Sequence, residues 1–487
     1  MKSRWFITLI AIVPVAAGLL ALQSCGGEGG PTSGSGGGLP SVSQQFLALL
    51  SADQAGSSYI GAEGCVAGTC HGGSGARADV SVYQHWKDTK HADKGVNCER
   101  CHGPGSKHAA NPTSTNILNG PKLTSPVVCA QCHGPIYDQW NFSQHSKIVV
   151  DPVEDLIVNP TTYGKNSRCG SCHSGLFRTE LNEGGVDIAN VNNSVIVEIG
   201  ERTLDTVPHT ANCVTCHNPH KNTGNLTDTG DEVQLRHKTF NDVTTPIGPG
   251  QPASSTTTFD HICAQCHNGR GANPADSALN SGTSRPNMHD SNQYNMLMGL
   301  GGVEAGGPVT PSNTAHASIP GQCSKCHMPS STHSFTVSYD KSCSPCHTAA
   351  DAAARVNTTK SDIVDKLFAL RTRMEEYALA HYGNRDFWDY TSIITAEYGT
   401  GTGPNQSTVP IQLKRARHNY YFIIRDRGYG VHNAPYARHL LTIANINMEA
   451  IDAPAISASR SLTTSFNEKL KVIEQDLARA RKAELEK

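Results

Sequence analysis

A five-residue signature, two cysteines with two residues between them and a histidine directly after, occurs seven times between residues 98 and 347. The copies are Cys98-Glu-Arg-Cys101-His102, Cys129-Ala-Gln-Cys132-His133, Cys169-Gly-Ser-Cys172-His173, Cys213-Val-Thr-Cys216-His217, Cys263-Ala-Gln-Cys266-His267, Cys323-Ser-Lys-Cys326-His327 and Cys343-Ser-Pro-Cys346-His347. An eighth segment, Cys65-Val-Ala-Gly-Thr-Cys70-His71, ends in the same Cys-His pair but has four intervening residues. Together they use 16 of the 17 cysteines and leave only Cys25. No disulfide framework is therefore expected.

The regular signature is the attachment motif for c-type haem. The two thiols add to the vinyl groups of one haem, and the adjacent histidine becomes the proximal iron ligand. Zinc is the alternative for paired cysteines near histidines, but it does not require a histidine directly after each second cysteine. For Cys65 to His71 the alternative is two ordinary thiols beside a structural histidine, although the longer spacer can still loop between two attached thiols. We expect eight covalently attached haem c groups.

The second axial ligand of each haem iron is also expected to be histidine. The chain has 23 histidines, of which eight are in the motifs, and only seven methionines. Two imidazoles per iron give a low reduction potential compared with a histidine–methionine pair. The candidates suggested by their positions near the motifs, with surface histidines as the alternative, are His91, His108, His145, His209, His220, His289, His316 and His333. The settings of His85, His237 and His261 indicate a ligand less clearly.

An internal repeat contains two of these candidates. Tyr83, Trp86, Thr89 and His91 have the same spacing as Tyr137, Trp140, Ser143 and His145. The spacing predicts a short helix that presents an aromatic ring and an imidazole on one side. The alternative is an aromatic core stripe with an incidental histidine.

The first 25 residues have the pattern of an export signal, with Lys2 and Arg4 before an apolar run that ends near Leu22. Leu22 to Cys25 resembles a bacterial lipobox, which implies cleavage before Cys25 and lipidation of its sulfur; the alternative is a transmembrane anchor. No Asp follows Cys25, which by the same resemblance favours the outer membrane. Residues 26–58 begin with a Gly/Ser-rich run and are predicted to be a flexible tether. The formal net charge of -2 indicates no nucleic-acid partner.

Several segments resemble known multihaem cytochromes. The run from Cys98 to His108 and the two aromatic–histidine units resemble the cytochrome c-554 family. The run from His316 to Phe335 resembles the group that holds nitrite reductases, hydroxylamine oxidoreductases and octahaem tetrathionate reductases. That resemblance implies haems stacked in parallel and perpendicular pairs. One departure is that pentahaem nitrite reductases end one motif in lysine, whereas all eight motifs here end in histidine.

The chain is predicted to change character near residue 350, after the last cysteine. We expect an octahaem domain at 59–350 and a helical domain at 351–487. Helices are predicted at 360–382, with one apolar face, at 410–426, from Pro435 to about 452, and at 464–487. Gly430-Val431-His432-Asn433-Ala434-Pro435 resembles the C-terminal segment of the nitrite-reductase-like group, which implies that His432 is a distal haem ligand. The alternative for His432 is a helix-capping role.

The predicted fold is mainly α with extensive irregular structure around stacked haems, followed by a helical domain. The first functional hypothesis is an exported, lipid-anchored electron carrier. Its partners would be other cytochromes or an outer-membrane electron conduit, an extracellular acceptor, and further copies of itself in a filament, with the membrane reached through the lipid alone. The second is an octahaem reductase or oxidoreductase of a small nitrogen or sulfur compound, with one haem open to substrate. No catalytic residue is assigned under the first hypothesis.

Overall fold

A computed structural model of the chain describes residues 42–67, 70–72, 80–118, 125–147, 172, 175, 210–221, 233–236, 262–269, 274–280, 291–311, 314–389, 404, 408–451 and 464–485. Its α-helices are α1 Gln44–Leu47, α2 Gly61–Val66, α3 Val80–Lys87, α4 Lys90–Asp93, α5 Cys98–His102, α6 Ser106–Ala110, α7 Pro126–Ala130, α8 Gly134–Phe142, α9 Cys213–Cys216, α10 Asp276–Leu279, α11 Gln293–Leu297, α12 Cys323–His327, α13 Tyr339–Ser342, α14 Ala349–Tyr382, α15 Ile411–Asp426, α16 Ala434–Glu449 and α17 Phe466–Leu485. Short 3-10 helices cover Ala52–Gln54, Ser114–Asn116, Gln144–Lys147, Ala315–Ser318, Pro329–Ser331 and Arg385–Asp389.

The prediction of a mainly helical fold with extensive irregular structure is confirmed. Within the described ranges every regular element is a helix, and β pairing is limited to an isolated bridge between His217 and Leu235. None of the helices in those ranges is both long and apolar enough to cross a lipid bilayer. The predicted export signal, Cys25 and the Gly/Ser-rich run lie outside the described residues.

The end of the predicted tether is folded, which corrects its boundary at residue 58. Helix α1 buries Phe46 completely against Leu118 and Val128. Farther along, the Gln54 side-chain amide donates to the backbone oxygen of His102 over 2.9 Å. The sequence before Phe46 is polar and rich in glycine, so the folded part is recognised only through its partners farther along the chain.

Several attachment motifs form a single helical turn. In α5, α9 and α12 the two cysteines are three residues apart on a helix, and residues at that spacing lie on the same face. Both thiols can therefore reach the same flat ring, while the following histidine lies at the end of the turn. In the longer motif, α2 ends at Val66, and the backbone N–H of His71 donates to the oxygen of Cys65 over 3.2 Å.

The aromatic repeat is two helices with a break, and the prediction of one continuous helix is wrong. Helix α3 ends at Lys87, and Thr89 is extended, with its hydroxyl accepting from the N–H of Ala92 at the start of α4. In the second copy α8 ends at Phe142, and the Ser143 hydroxyl accepts from the N–H of His145. Ser and Thr hydroxyls compete for backbone hydrogen bonds and favour the start of a new turn. That new turn carries the histidine in each copy.

The C-terminal region is a bundle of four longer helices, α14 to α17. The predicted positions of the last three agree with the structure to within a few residues. Helix α14 begins at Ala349, capped by the Thr348 hydroxyl, which is 11 residues before the predicted start at 360. Its first turns, rich in alanine and polar residues, lack the apolar periodicity on which the prediction rested. The apolar face predicted for 360–382 is fully buried at five residues, namely Ile363, Leu367, Leu370, Met374 and Ala378.

The bundle core also contains buried ion pairs. Arg371 of α14 donates from Nε to Oδ2 of Asp476 over 2.6 Å, and the Tyr420 hydroxyl donates to the same oxygen over 2.7 Å. Arg417 and the hydroxyl of Tyr421 both reach the buried carboxylate of Asp389. A buried charge that keeps all of its partners is tolerated, whereas one that loses them is strongly destabilising.

The bundle packs directly against residues 291–304 of the haem-motif region. The Asn292 side chain donates to the oxygen of Phe422 over 2.8 Å, and the N–H of Val303 donates to Asn419 Oδ1 over 2.8 Å. The hydroxyl of Tyr436 lies 3.0 Å from the carboxylate of Glu304. These contacts position the start of α16, and with it the segment that contains His432.

Candidate haem sites

Each motif histidine within the described residues faces a second histidine. In all seven pairs the ring centroids are 6.0–6.4 Å apart. The pairs, with the motif histidine first, are His71 and His108, His102 and His220, His133 and His91, His217 and His333, His267 and His145, His327 and His432, and His347 and His316. The second member of every pair is one of the distal ligand candidates.

The separation fits one metal ion between two imidazoles. A metal–nitrogen bond to histidine is about 2 Å and the nitrogen is about 1 Å from the ring centroid, so two bonds in line place the centroids about 6 Å apart. Stacked rings in van der Waals contact are closer, as for His381 and Tyr377 at 3.9 Å. The paired histidines are therefore at the separation at which both imidazoles could bind one haem iron.

Hydrogen bonds at Nδ1 fix the tautomer of several paired imidazoles. Nδ1 of His102, His217 and His327 lies 2.6–3.1 Å from the backbone oxygens of Leu118, Val233 and Phe335. Nδ1 of His108 and His333 likewise faces the oxygens of Thr113 and Ser331. A carbonyl oxygen only accepts, so Nδ1 carries the proton and Nε2 keeps its lone pair for a metal.

Two of the paired imidazoles have a carboxylate next to Nδ1 instead of a carbonyl oxygen. Nδ1 of His347 is 3.0 Å from Oδ2 of Asp351, one turn farther along the chain at the start of α14. Nδ1 of His432 is 2.6 Å from Oδ1 of Asp426 at the end of α15. A carboxylate orients the ring as a carbonyl does and also makes the imidazole a more basic ligand.

Burial keeps most of these imidazoles neutral. It lowers the pKa of His102 to about 4 and that of His145 to about 4. It also lowers the pKa of His91, His133, His217, His267, His316, His327 and His333. Neutral imidazole is the form that binds a metal. The pKa of His432 is raised, because Asp426 outweighs the opposing effect of burial.

Thiols from different motifs meet in pairs. The thiols of Cys65 and Cys98, of Cys129 and Cys213, and of Cys263 and Cys323 share hydrogen bonds. Burial and the nearby Cys132 raise the pKa of Cys101 to about 11. The hydrogen bond with Cys323 and burial raise the pKa of Cys263, with a smaller contribution from Cys216. Burial raises the pKa of Cys326, to which the neighbouring Cys343 contributes. The motifs that begin at residues 65, 98, 129, 213, 263, 323 and 343 are thus neighbours in that order.

Some predicted site residues lie outside the described residues. They are Cys169, His173, His209, His289 and the lipidation candidate Cys25. His237 and His261, which the sequence indicates less clearly as ligands, also lie outside them. Of the motif that begins at Cys169, only Cys172 is described, and its sulfur lies 3.7 Å from the backbone oxygen of Gln265. His85 lies on α3, away from the seven pairs, and His381, His418 and His439 lie on bundle helices. Within the described ranges, no group of three or more His, Cys, Asp or Glu side chains is placed to bind a metal ion directly.

The sequence did not predict the side chains that accept hydrogen bonds from Nδ1 of the paired imidazoles. The Oε1 atom of Gln293 lies 3.2 Å from Nδ1 of His267, while its amide nitrogen donates to the backbone oxygen of Asp426 over 3.2 Å. Asp351 follows His347 by four residues, and this spacing could have indicated their contact from the sequence. Asp426 and Gln293 have no comparable signal, because the fold alone brings them to their histidines.

Comparison with solved structures finds four similar chains, two of which are multihaem cytochromes. No protein-family model matches the sequence, and no curated protein does. The chain is similar to the undecahaem cytochrome from the S-layer of Carboxydothermus ferrireducens, at 18% identity over 74% of this chain and 51% of that chain, with a TM-score of 0.44. It is also similar to the outer cell wall cytochrome OcwA, at 19% identity over 73% of this chain and 70% of that chain, with a TM-score of 0.45. This chain thus spans about half the length of the S-layer cytochrome.

The chain itself has the site architecture of a multihaem c-type cytochrome. In α5, α9 and α12 the motif supplies two thiols on one face of a helical turn and a histidine beyond them. In every described case a second imidazole stands opposite that histidine at the separation that one iron requires. These are the residues that covalent haem c requires.

Proposed function

We propose that this protein is an exported octahaem c-type cytochrome that carries electrons between redox partners outside the cytoplasm. The observation that carries the proposal is the pairing of all seven described motif histidines with a second imidazole. An iron with six ligands from haem and protein has no position for a substrate, which favours electron transfer over catalysis. The eighth haem belongs to Cys169, Cys172 and His173, and His209 and His289 are the candidates for its second ligand.

The roles of the residues follow from their positions. In the haem-loaded protein, sixteen thiols would hold the haems covalently, and the paired imidazoles would bind the irons and exclude water and oxygen from them. Each bound haem supplies a site that takes up and releases one electron. The carbonyl and carboxylate acceptors at Nδ1 hold the rings in orientation and keep the proton away from the iron-facing nitrogen.

The contacts between thiols support a path along the molecule. Among the described motifs, the one that begins at Cys65 and the one that begins at Cys343 each contact a single other motif through their thiols, which supports an electron path that runs between them. The last motif is more open than the rest, because Cys346 is the exposed cysteine among those described. We therefore assign electron exchange with a partner to the end that contains Cys346 and His347.

The proposed location rests on the start of the sequence. Residues 1–25 would direct export, Cys25 would carry a lipid in the outer membrane, and residues 26–41 would link it to the folded part. The partners proposed are other cytochromes or an outer-membrane electron conduit, together with an extracellular acceptor. Copies of the chain could also associate end to end into a filament.

Two measurements on the mature protein test the proposal. Intact mass spectrometry is expected to show eight covalent haems and a lipid on Cys25. The visible and electron paramagnetic resonance spectra of the oxidised protein are expected to show only low-spin iron. Absence of covalent haem would overturn the proposal. High-spin iron in the intact protein would favour instead the reductase of a small nitrogen or sulfur compound, with His173 as the first position to examine.

A further inference from the structure

Asp426 is unlike every other described acceptor that faces a paired imidazole. Among the paired histidines whose Nδ1 partner the structure describes, only His347 and His432 face carboxylates, and the rest face neutral oxygens. The Asp426 side chain is 0% exposed, whereas that of Asp351 is 41% exposed. The distance from Asp426 Oδ1 to His432 Nδ1 is 2.6 Å, within the range of a strong charge-assisted hydrogen bond.

The surroundings of Asp426 hold it in place. Its second carboxylate oxygen accepts from the N–H of Gly428 over 3.1 Å, in the loop between α15 and α16. Its backbone oxygen accepts from the Gln293 side chain, which also faces His267. Asp426 thus joins the bundle to two neighbouring imidazole pairs.

Asp351 differs in what compensates its charge. The guanidinium Nε of Arg355 lies 2.8 Å from the same Oδ2 that faces His347, and the Arg355 side chain is 67% exposed. Water and Arg355 together weaken the effect of this carboxylate on the imidazole, because exposed charges interact in a high dielectric. The two carboxylates therefore form a natural pair for comparison, buried in one case and screened in the other.

We propose that Asp426 is a positioning and tuning residue that lowers the reduction potential of the haem attached at Cys323 and Cys326. By accepting the Nδ1 proton in a dry site, the carboxylate gives the imidazole of His432 anionic character. An electron-rich ligand stabilises ferric iron over ferrous iron. This inference rests on the proposed haem occupancy. It gives a low reduction potential to the haem next to the motif that begins at Cys343.

The test is the Asp426→Asn variant of the complete haem-loaded protein. The amide keeps the shape and can still accept from Nδ1, but it has no charge. Visible and electron paramagnetic resonance spectra monitor a potentiometric titration. In that titration the electrode supplies one electron to the ferric iron, and no ligand bond is broken. Because charge-assisted hydrogen bonds are about twice as strong as neutral ones, we expect the ferrous-to-ferric ratio of one haem at fixed potential to rise about tenfold, equivalent to about 59 mV.

Asp351→Asn is the matched control, and we expect at most a small shift from it. Asp426→Ala, which also removes the acceptor, is expected to raise the ratio at least as far as Asp426→Asn does. Equal shifts in Asp426→Asn and Asp351→Asn, or no shift in Asp426→Asn, would overturn the inference. Conversion of one haem to high spin in Asp426→Asn would also overturn it, because the carboxylate would then act through geometry rather than charge. Haem content is measured in every variant, so failure of the proposed function would appear separately as missing haem.

Discussion

The haem-motif region and the C-terminal bundle are stabilised in different ways. In the described part of residues 42–347, the helices are at most nine residues long, and the apolar clusters are small. The bundle has helices of 16–34 residues around one large apolar core. Isolated helices shorter than about 12 residues are marginal in water. We therefore expect the first region to depend on bound haem for its order, whereas the bundle has a core of its own.

The largest effect is expected when the protein is produced without haem. We expect protein produced without haem attachment to lose fixed structure in residues 42–347, because ligand binding that stabilises only the folded state is part of its folding free energy. Helices α14 to α17 should remain protected. Hydrogen exchange with mass spectrometry measures both regions in one sample. Equal protection of the two regions in the haem-free protein would show that the contrast is wrong.

The bundle is expected to respond strongly to loss of a buried charge partner. Asp476→Ala leaves Arg371 and Tyr420 without their shared acceptor and should lower the free energy of unfolding of the bundle by about 3–5 kcal/mol. Asp362→Ala, at the more exposed ion pair with Arg438, should cost less than about 1 kcal/mol. Denaturant titration followed by helical circular dichroism compares them. Similar costs for the two variants would contradict the core described for the bundle.

His432, in the loop before α16, is paired with His327 of the haem-motif region, and its removal should affect one haem alone. In His432→Ala, the iron bound by His327 loses its second imidazole, so we expect one high-spin haem in an otherwise low-spin protein. His381→Ala, on an exposed turn of α14, should leave the spectrum unchanged. Electron paramagnetic resonance with quantified spin provides the readout. A fully low-spin spectrum for His432→Ala would contradict the pairing of His432 with His327.

The smallest effect expected is a spectral difference within the unaltered protein. The imidazole planes are inclined by 11–39° in four pairs, those of His71, His102, His217 and His327, and by 68–77° in those of His133, His267 and His347. Nearly perpendicular ligand planes leave two iron d orbitals close in energy and give a more anisotropic resonance. We expect two classes of low-spin signal at low temperature. A single class would show that the rings rotate when haem binds.

The attachment residues could be predicted from sequence, but the pairing of imidazoles could not. The Cys-Cys-His spacing is local and specific, so it needs no fold. His91 lies much nearer to His102 than to His133 in the chain, yet it faces His133. His220 follows His217 by three residues but faces His102. A segment of three residues is too short to wrap around a haem bound at His217, but nothing local in the sequence identifies His102 as the partner of His220.

The errors in the predicted elements also have physical causes. The start of α14 was missed because its first turns have no apolar face and depend on the Thr348 cap. The break at Thr89 was missed because hydrophobic periodicity does not register a hydroxyl that starts a new turn. Residues 42–58 lacked any local signal, since Phe46 is ordered by Leu118 and Val128, which are distant in sequence. Local capping hydrogen bonds decided the first two cases, and long-range contacts decided the third.

The position of His432 has a consequence for how the protein is made. His327 lies in the haem-motif region, but its counterpart is synthesised more than a hundred residues later, beyond α15. A chain that stops before His432 would leave the iron at His327 with one coordination position exposed to oxygen, and such an iron can react with oxygen instead of only passing electrons. In the full-length chain, His432 would close that position.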